Sequence, residues 1–248
     1  MLSLKDKHLV VVGGSRGVGR RIVEAAAREG ARVLAVARRE GPLRQLAEDV
    51  PGIGTLALDA ADEGAPARVF ERMRPDMLVL CAGAFPPAAP LHELDWPTFA
   101  ANWEADVKIA FHFMKAALSL PLAAGTSVVL VSSGAALAGS PNSGGYAGAK
   151  RTQMFIANYA QKESDRLGLG LRFTTLAPRI MPDTDLGRSA VAGYARYLGI
   201  SEADFIRSMD QPPSACDVAG AAIAAFKDPE PFKARVFVVT GKGLEAAP

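Results

Sequence analysis

The feature that most constrains this chain is a glycine-rich turn within its first twenty residues. A short apolar run, 9–12, leads directly into Gly13-Gly14-Ser15-Arg16-Gly17-Val18-Gly19. From 17 to 29 the pattern is helical. Ile22, Val23, Ala26 and Ala27 share one face, Arg20, Arg21, Glu24 and Arg28 the other, and Gly30 supplies the stop. Strand, tight turn and helix make the opening of a βαβ unit. Glycines let the backbone bend sharply and let a bulky anion come close. The helix N-terminus behind them offers unpaired N–H groups and the positive end of its dipole. The spacing is Gly-x-x-x-Gly-x-Gly, from Gly13, Gly17 and Gly19, and it differs from the GxGxxG form. The strand–turn–helix setting is what points to a pyrophosphate.

The rest of the chain repeats the theme. Apolar, β-branched runs recur at 32–37, 53–58, 77–81, 127–132, 171–176 and 235–239. Longer helical patterns lie at 96–120, 145–167 and 215–226. This alternation predicts an α/β fold built on a mostly parallel sheet. At 248 residues and 49% hydrophobic, residues 1–248 suffice for one such domain with a large core. The segment 182–213 is helix-like and bounded by prolines, and is expected to form a flap over a site.

Charge and composition exclude several classes. The net charge is +2 and the basic residues are scattered, so no nucleic-acid partner is expected. No apolar stretch approaches the ~20 residues of a membrane span, and no signal peptide is read at the start. Cys81 and Cys216 stand in no paired motif, which suits a reducing compartment, the cytoplasm. His8, His92 and His112 have no metal-ligand spacing, so no metal is expected.

The second strand ends Val36-Ala37-Arg38-Arg39. An acid at this strand end would accept the ribose 2′-OH of NAD and repel a 2′-phosphate; Ala37 does neither. Arg38 here and Arg16 in the glycine turn are two guanidinium groups from separate segments, suited to a dianionic phosphate. The expectation is NADP(H) in preference to NAD(H). Asp59, ending the third strand, reads equally as a partner of the adenine amino group or as a helix N-cap.

The fifth strand ends Ser132-Ser133-Gly134, and Tyr146 and Lys150 follow at the start of a long helix. The i, i+4 spacing stacks phenol and ammonium on one face. A tyrosine phenol is ordinarily a poor acid or base at neutral pH, and an adjacent ammonium makes it usable by favouring the phenolate. Ser133 can hydrogen-bond a substrate carbonyl oxygen, Tyr146 can protonate that oxygen, and Lys150 can also hold the nicotinamide ribose.

Taken in this order, these residues resemble the short-chain dehydrogenase/reductase family over essentially the whole chain. The family's glycine turn falls on Gly13, Gly17 and Gly19, and its Ser–Tyr–Lys set on Ser133, Tyr146 and Lys150. The resemblance implies a Rossmann-type, doubly wound, seven-stranded parallel sheet with helices on both faces. It implies NAD(P)(H) and carbonyl/alcohol chemistry on a small molecule. It also implies a homodimer or homotetramer paired through the two long helices, which carry Ile109, Phe111, Phe113, Met114, Phe155 and Ile156; buried core explains most of these residues equally well. The candidate cofactor contacts are Gly13, Ser15, Arg16, Gly17, Val18, Gly19, Arg38, Asp59, Ala82, Gly83, Tyr146, Lys150 and Thr184.

Four positions depart from the family pattern. Val12 replaces a Thr before the glycine turn, Cys81 an Asn before Ala82-Gly83, and Arg179 a Gly after Pro178. Asp106 falls where an Asn usually holds a water in a relay to the Lys, with Asn102 one turn earlier, and Asp106 is expected near Lys150. Arg179 puts a cation near the pocket mouth, and Tyr194, Tyr197, Phe205 and Met209 offer an apolar wall; Trp96 and Trp103 read as wall or as core. The functional expectation is an NADP(H)-dependent oxidoreductase interconverting a carbonyl and a secondary alcohol. The alternative is a non-catalytic NADP(H)-binding sensor on the same fold. The complete Ser–Tyr–Lys set weighs against that alternative.

Overall fold

The protein is described from a computed structural model covering residues 2–120, 122–232 and 236–247. Its centre is β1 (His8–Val12), buried at every residue after the first. Leu9 and Val11 face one core, and Val10 and Val12 face the other. A strand covered on both sides has no polar face, so it reads as a continuous apolar run. β2 (Arg32–Ala37), β4 (Met77–Leu80) and β5 (Ser127–Val131) share this character.

One sheet runs β3-β2-β1-β4-β5-β6-β7-β8, where β3 is Gly54–Ala57, β6 Arg172–Pro178, β7 Val236–Thr240 and β8 Gly243–Ala246. β1 to β7 are parallel. The expected seven-stranded parallel sheet gains an eighth strand, β8, paired antiparallel to β7. All four β8 residues are exposed, so it leaves no apolar signature in the sequence. The seventh strand begins at Val236; Arg235, where it was expected to start, lies outside the described residues.

α1 (Gly17–Arg28) and α10 (Ala215–Lys227) pack together on one face. α3 (Ala65–Arg72), α5 (Lys108–Ser119) and α7 (Tyr146–Arg166) cover the other. The sequence reading named neither α2 (Glu40–Asp49) nor α3, each carrying a proline and spanning ten residues or fewer, nor the four-residue α6 (Ala135–Ala138). The single helix expected over 96–120 is α4 (Trp96–Asn102) and α5 joined by a wide π turn, Trp103–Val107. The segment 182–213 folds as α8 (Asp185–Leu198), capped by the Thr184 hydroxyl and ended by left-handed Gly199, and α9 (Glu202–Ser208). No helix of the described residues is long and apolar enough to cross a membrane.

Strand order reverses at β1 and β4, where the connections from the two strands leave in opposite directions. That reversal opens a crevice at the carboxyl ends of the strands, the place where sheets of this kind hold ligands.

Candidate active site

The crevice is a cleft of about 1570 Å³, and each expected catalytic and cofactor-contact residue lines it, from Gly13 to Thr184. Gly13 has φ +91°, and a Cβ there would lie 2.5 Å from the Ala82 nitrogen. A Cβ on Gly19 would overlap the Gly13 carbonyl oxygen. These two glycines let turn, helix and β4 close on one another. Gly17, at φ +54°, has open space where a side chain would stand. No side chain caps α1, and its first turn carries no acid. An uncapped helix N-terminus behind an open glycine cradle fits a dinucleotide pyrophosphate.

Arg38 is exposed at the end of β2. Arg16 is exposed too, with its guanidinium 4.7 Å from the centre of the Phe85 ring. Asp59 lines the cleft while its carboxylate accepts the Ala61 N–H at 3.0 Å within a turn; it is not the helix N-cap of its second reading, since α3 begins at Ala65 with Gly64 at its N-cap. The Thr184 hydroxyl accepts the Gly187 N–H at 2.9 Å and donates to the Met181 carbonyl at 3.0 Å, so capping occupies it.

Tyr146 is the first residue of α7 and is buried, and Lys150 stands one turn on with Nζ 5.7 Å from the phenol ring centre. The Ser132 hydroxyl donates to the Lys150 carbonyl at 3.0 Å, fastening α7 to the end of β5. The Ser133 Oγ accepts the Ala135 N–H at 3.2 Å, which leaves its own proton to give to a substrate oxygen. Cys81 is half-buried in the cleft wall, and desolvation pushes its thiol up to about 12.

Asp106 meets the sequence expectation: its Oδ2 lies 3.2 Å from Lys150 Nζ, with both side chains buried. Its Oδ1 accepts the Ala84 N–H at 2.8 Å and an Asn102 amide N–H at 3.3 Å. Asn102 also donates to the Ala84 carbonyl at 2.9 Å, and Gln153 donates to the Asp106 carbonyl at 2.7 Å. A Cβ on Gly83 would come within 2.6 Å of the Asp106 carboxylate, so glycine there makes room for the acid. Burial pulls the Lys150 ammonium down, but Asp106, joined by Tyr146 and Cys81, outweighs this and holds it above the ordinary lysine range.

The substrate side is closed by α8. Tyr194 donates to the Ser140 hydroxyl at 2.5 Å and stacks on Phe205 at 5.5 Å. Arg196 donates to the Ala88 carbonyl at 2.8 Å. Tyr194, Phe205 and Met209 line the cleft as expected, whereas Tyr197 is 48% exposed and does not. Trp96 and Trp103 also lie outside the cleft, both exposed. Arg179 packs over Gly134 at the cleft wall. It does not need the left-handed conformation: among the described residues, the non-glycine positive φ values are at Asp6 and Gln211. Sequence reasoning missed Phe85 and Gln153, since neither belongs to a motif and each acts on a partner far along the chain.

Comparison with known proteins agrees with this geometry. The family model described as short chain dehydrogenase matches residues 7–195. The chain is 30% identical over 220 residues to the short chain dehydrogenase/reductase AacuD of Aspergillus aculeatus, covering 81% of this chain and 77% of that protein. It is 26% identical over 192 residues to D-erythrulose reductase of Gallus gallus, covering 75% and 76%. It is 30% identical over 107 residues to human L-xylulose reductase, covering 43% and 44%. Among solved structures, levodione reductase superposes with a TM-score of 0.82 at 21% identity, over 96% of this chain and 97% of that one. A short chain dehydrogenase of Shigella flexneri complexed with NADP superposes at 0.78 and 22%, over 95% and 97%. The glycine turn, the sheet that carries it and the family match agree: this chain belongs to the short-chain dehydrogenase/reductase family of oxidoreductases.

Proposed function

We propose that this protein is an NADP(H)-dependent oxidoreductase that interconverts a carbonyl and a secondary alcohol on a small molecule. The observation that carries the reading is the buried Tyr146–Lys150 pair, opposite Ser133, at the end of a cleft that begins at an uncapped glycine turn. Bound NADP(H) supplies or takes up the hydride. In reduction, the Ser133 hydroxyl donates to the substrate oxygen and Tyr146 passes its phenolic proton to that oxygen. The Lys150 ammonium stabilises the phenolate left behind, and oxidation runs the same steps in reverse. Arg16 and Arg38 hold the 2′-phosphate, and no acid stands at Ala37 to repel it. α8 and its aromatic pair keep water from the reacting atoms. The relatives named as reductases of L-xylulose and D-erythrulose support a carbonyl substrate. Phe111, Phe155 and Tyr159, exposed on α5 and α7, support self-association into a homodimer or homotetramer.

Titration with NADPH and NADH, followed by nicotinamide fluorescence, tests the cofactor assignment. NADPH is expected to bind more tightly, and Arg38→Ala to remove the preference. Equal binding of NADH by the wild type would refute the phosphate clamp. Tyr146→Phe is expected to lower carbonyl reduction by roughly 10²–10⁴-fold while leaving NADPH binding near wild type. A protein that binds NADPH but turns over no carbonyl from a broad ketone and aldehyde panel would instead be a sensor.

A further inference from the structure

Lys150 and Asp106 form an ion pair inside the protein, their side chains 6% and 1% exposed and 3.2 Å apart. A buried ammonium is costly unless a counter-charge and hydrogen bonds compensate it. From β5, Lys150 meets the neutral Val131 carbonyl at 3.4 Å. From the end of β4 it meets the Cys81 thiol, kept protonated by burial. On its own helix it meets the Tyr146 ring. From the wide turn it meets Asp106, the one acid paired with it among the described residues.

The same carboxylate has a second task. The loop after β4 runs Cys81-Ala82-Gly83-Ala84-Phe85 along the cleft, and none of these side chains carries an amide or hydroxyl to anchor it. Both backbone groups of Ala84 are held from across the cleft wall instead, its N–H by Asp106 and its carbonyl by Asn102. The wide turn Trp103–Val107 aims Asp106 inward, and the Gln153 amide pins the backbone of that turn.

We propose that Asp106 is the positioning residue of this site, holding Lys150 as a cation and fixing the 81–85 loop with one carboxylate, so that the lysine's charge and the shape of the cofactor-side wall are set together. The kinetic half of the test rests on the oxidoreductase reading; the spectroscopic half does not. Asp106→Asn can keep an oxygen for the Ala84 N–H while removing the charge and the acceptor that face Lys150. Burial, the largest influence on Lys150, is then opposed by Tyr146 and Cys81 alone, and the ammonium sheds its proton at lower pH.

The side-chain ¹⁵N resonance of Lys150, assigned as the one missing in Lys150→Arg, reads this directly in the protein without cofactor. The wild type is expected to keep the Lys150 proton beyond the ordinary lysine range, and Asp106→Asn to lose it earlier, with at least a tenfold fall in proton affinity. The alkaline limb of kcat should move down with it. Asn102→Ala, which frees the Ala84 carbonyl but leaves the charge, should weaken NADPH binding and leave that limb in place. Lys150 titrating alike in wild type and Asp106→Asn would overturn the assignment. So would a wild-type Lys150 that titrates below the ordinary lysine range, a measurement that needs no variant of Asp106 to fold. A shifted Lys150 without any carbonyl turnover would refute the oxidoreductase reading and leave the ion pair standing.

Discussion

Arg16 leaves the glycine turn as the residue before α1 and lays its guanidinium over Phe85, on the far bank of the cleft. An exposed cation–π contact of this kind contributes about 0.5–1 kcal/mol. By stacking, Phe85 restrains a long side chain that would otherwise sample many rotamers, and so prepares it to meet a phosphate. Phe85→Ala is therefore expected to weaken NADPH binding by roughly two- to fivefold in a fluorescence titration, leaving NADH unchanged. An equal loss for both cofactors would mean that Phe85 acts on the dinucleotide as a whole. At this scale the sequence was most legible where chemistry demands a fixed spacing. Tyr146 and Lys150 stand one helical turn apart, and Asp106 was placed by the resemblance to the family pattern. Phe85 and Gln153 carry no such spacing, because their partners Arg16 and Asp106 reach them only through the folded chain.

The helices show why some elements were legible and others not. α1 declares itself by an apolar face, a cationic face and a terminal glycine, and the central strands by unbroken Val and Leu runs. The wide turn between α4 and α5 is hidden because apolar residues continue on both sides of it, although it is what turns Asp106 inward. β8, exposed throughout, is fixed by its pairing to β7 and not by burial. α8 offers a test at this scale. Gly193 sits where the helix crosses the loop after β4, and a Cβ there would collide with the Ala88 side chain and come within 3.3 Å of the Asn142 amide. Overpacking of this kind costs about 1–3 kcal/mol. Gly193→Ala is expected to lift α8 from the loop, raise the substrate KM by about fivefold or more, and lower Tm by several degrees. An unaltered KM would show that the helix is seated independently of this crossing.

At the scale of the whole molecule, the faces of α5 and α7 leave aromatic residues outside. Phe111, Phe155 and Tyr159 are 49%, 46% and 58% exposed on α5 and α7, and Phe155 stacks on Tyr159 at 6.2 Å. Apolar groups left outside on two adjacent helices are what a self-associating face requires. Phe155→Glu is expected to reduce the mass measured by light scattering to that of one chain; a wild type already monomeric at the same concentration would dispose of the idea. Seen at this scale, α8 has a consequence of its own. Tyr194 and Arg196 tie it to Ser140 and Ala88, on two different loops, and swinging α8 away from the substrate end has to part those ties. Turnover then contains a mechanical step that works against the friction of the solvent. The maximal rate should fall in proportion as glycerol or sucrose thickens the medium, and Gly193→Ala, with the helix already lifted, should turn over at a rate indifferent to viscosity.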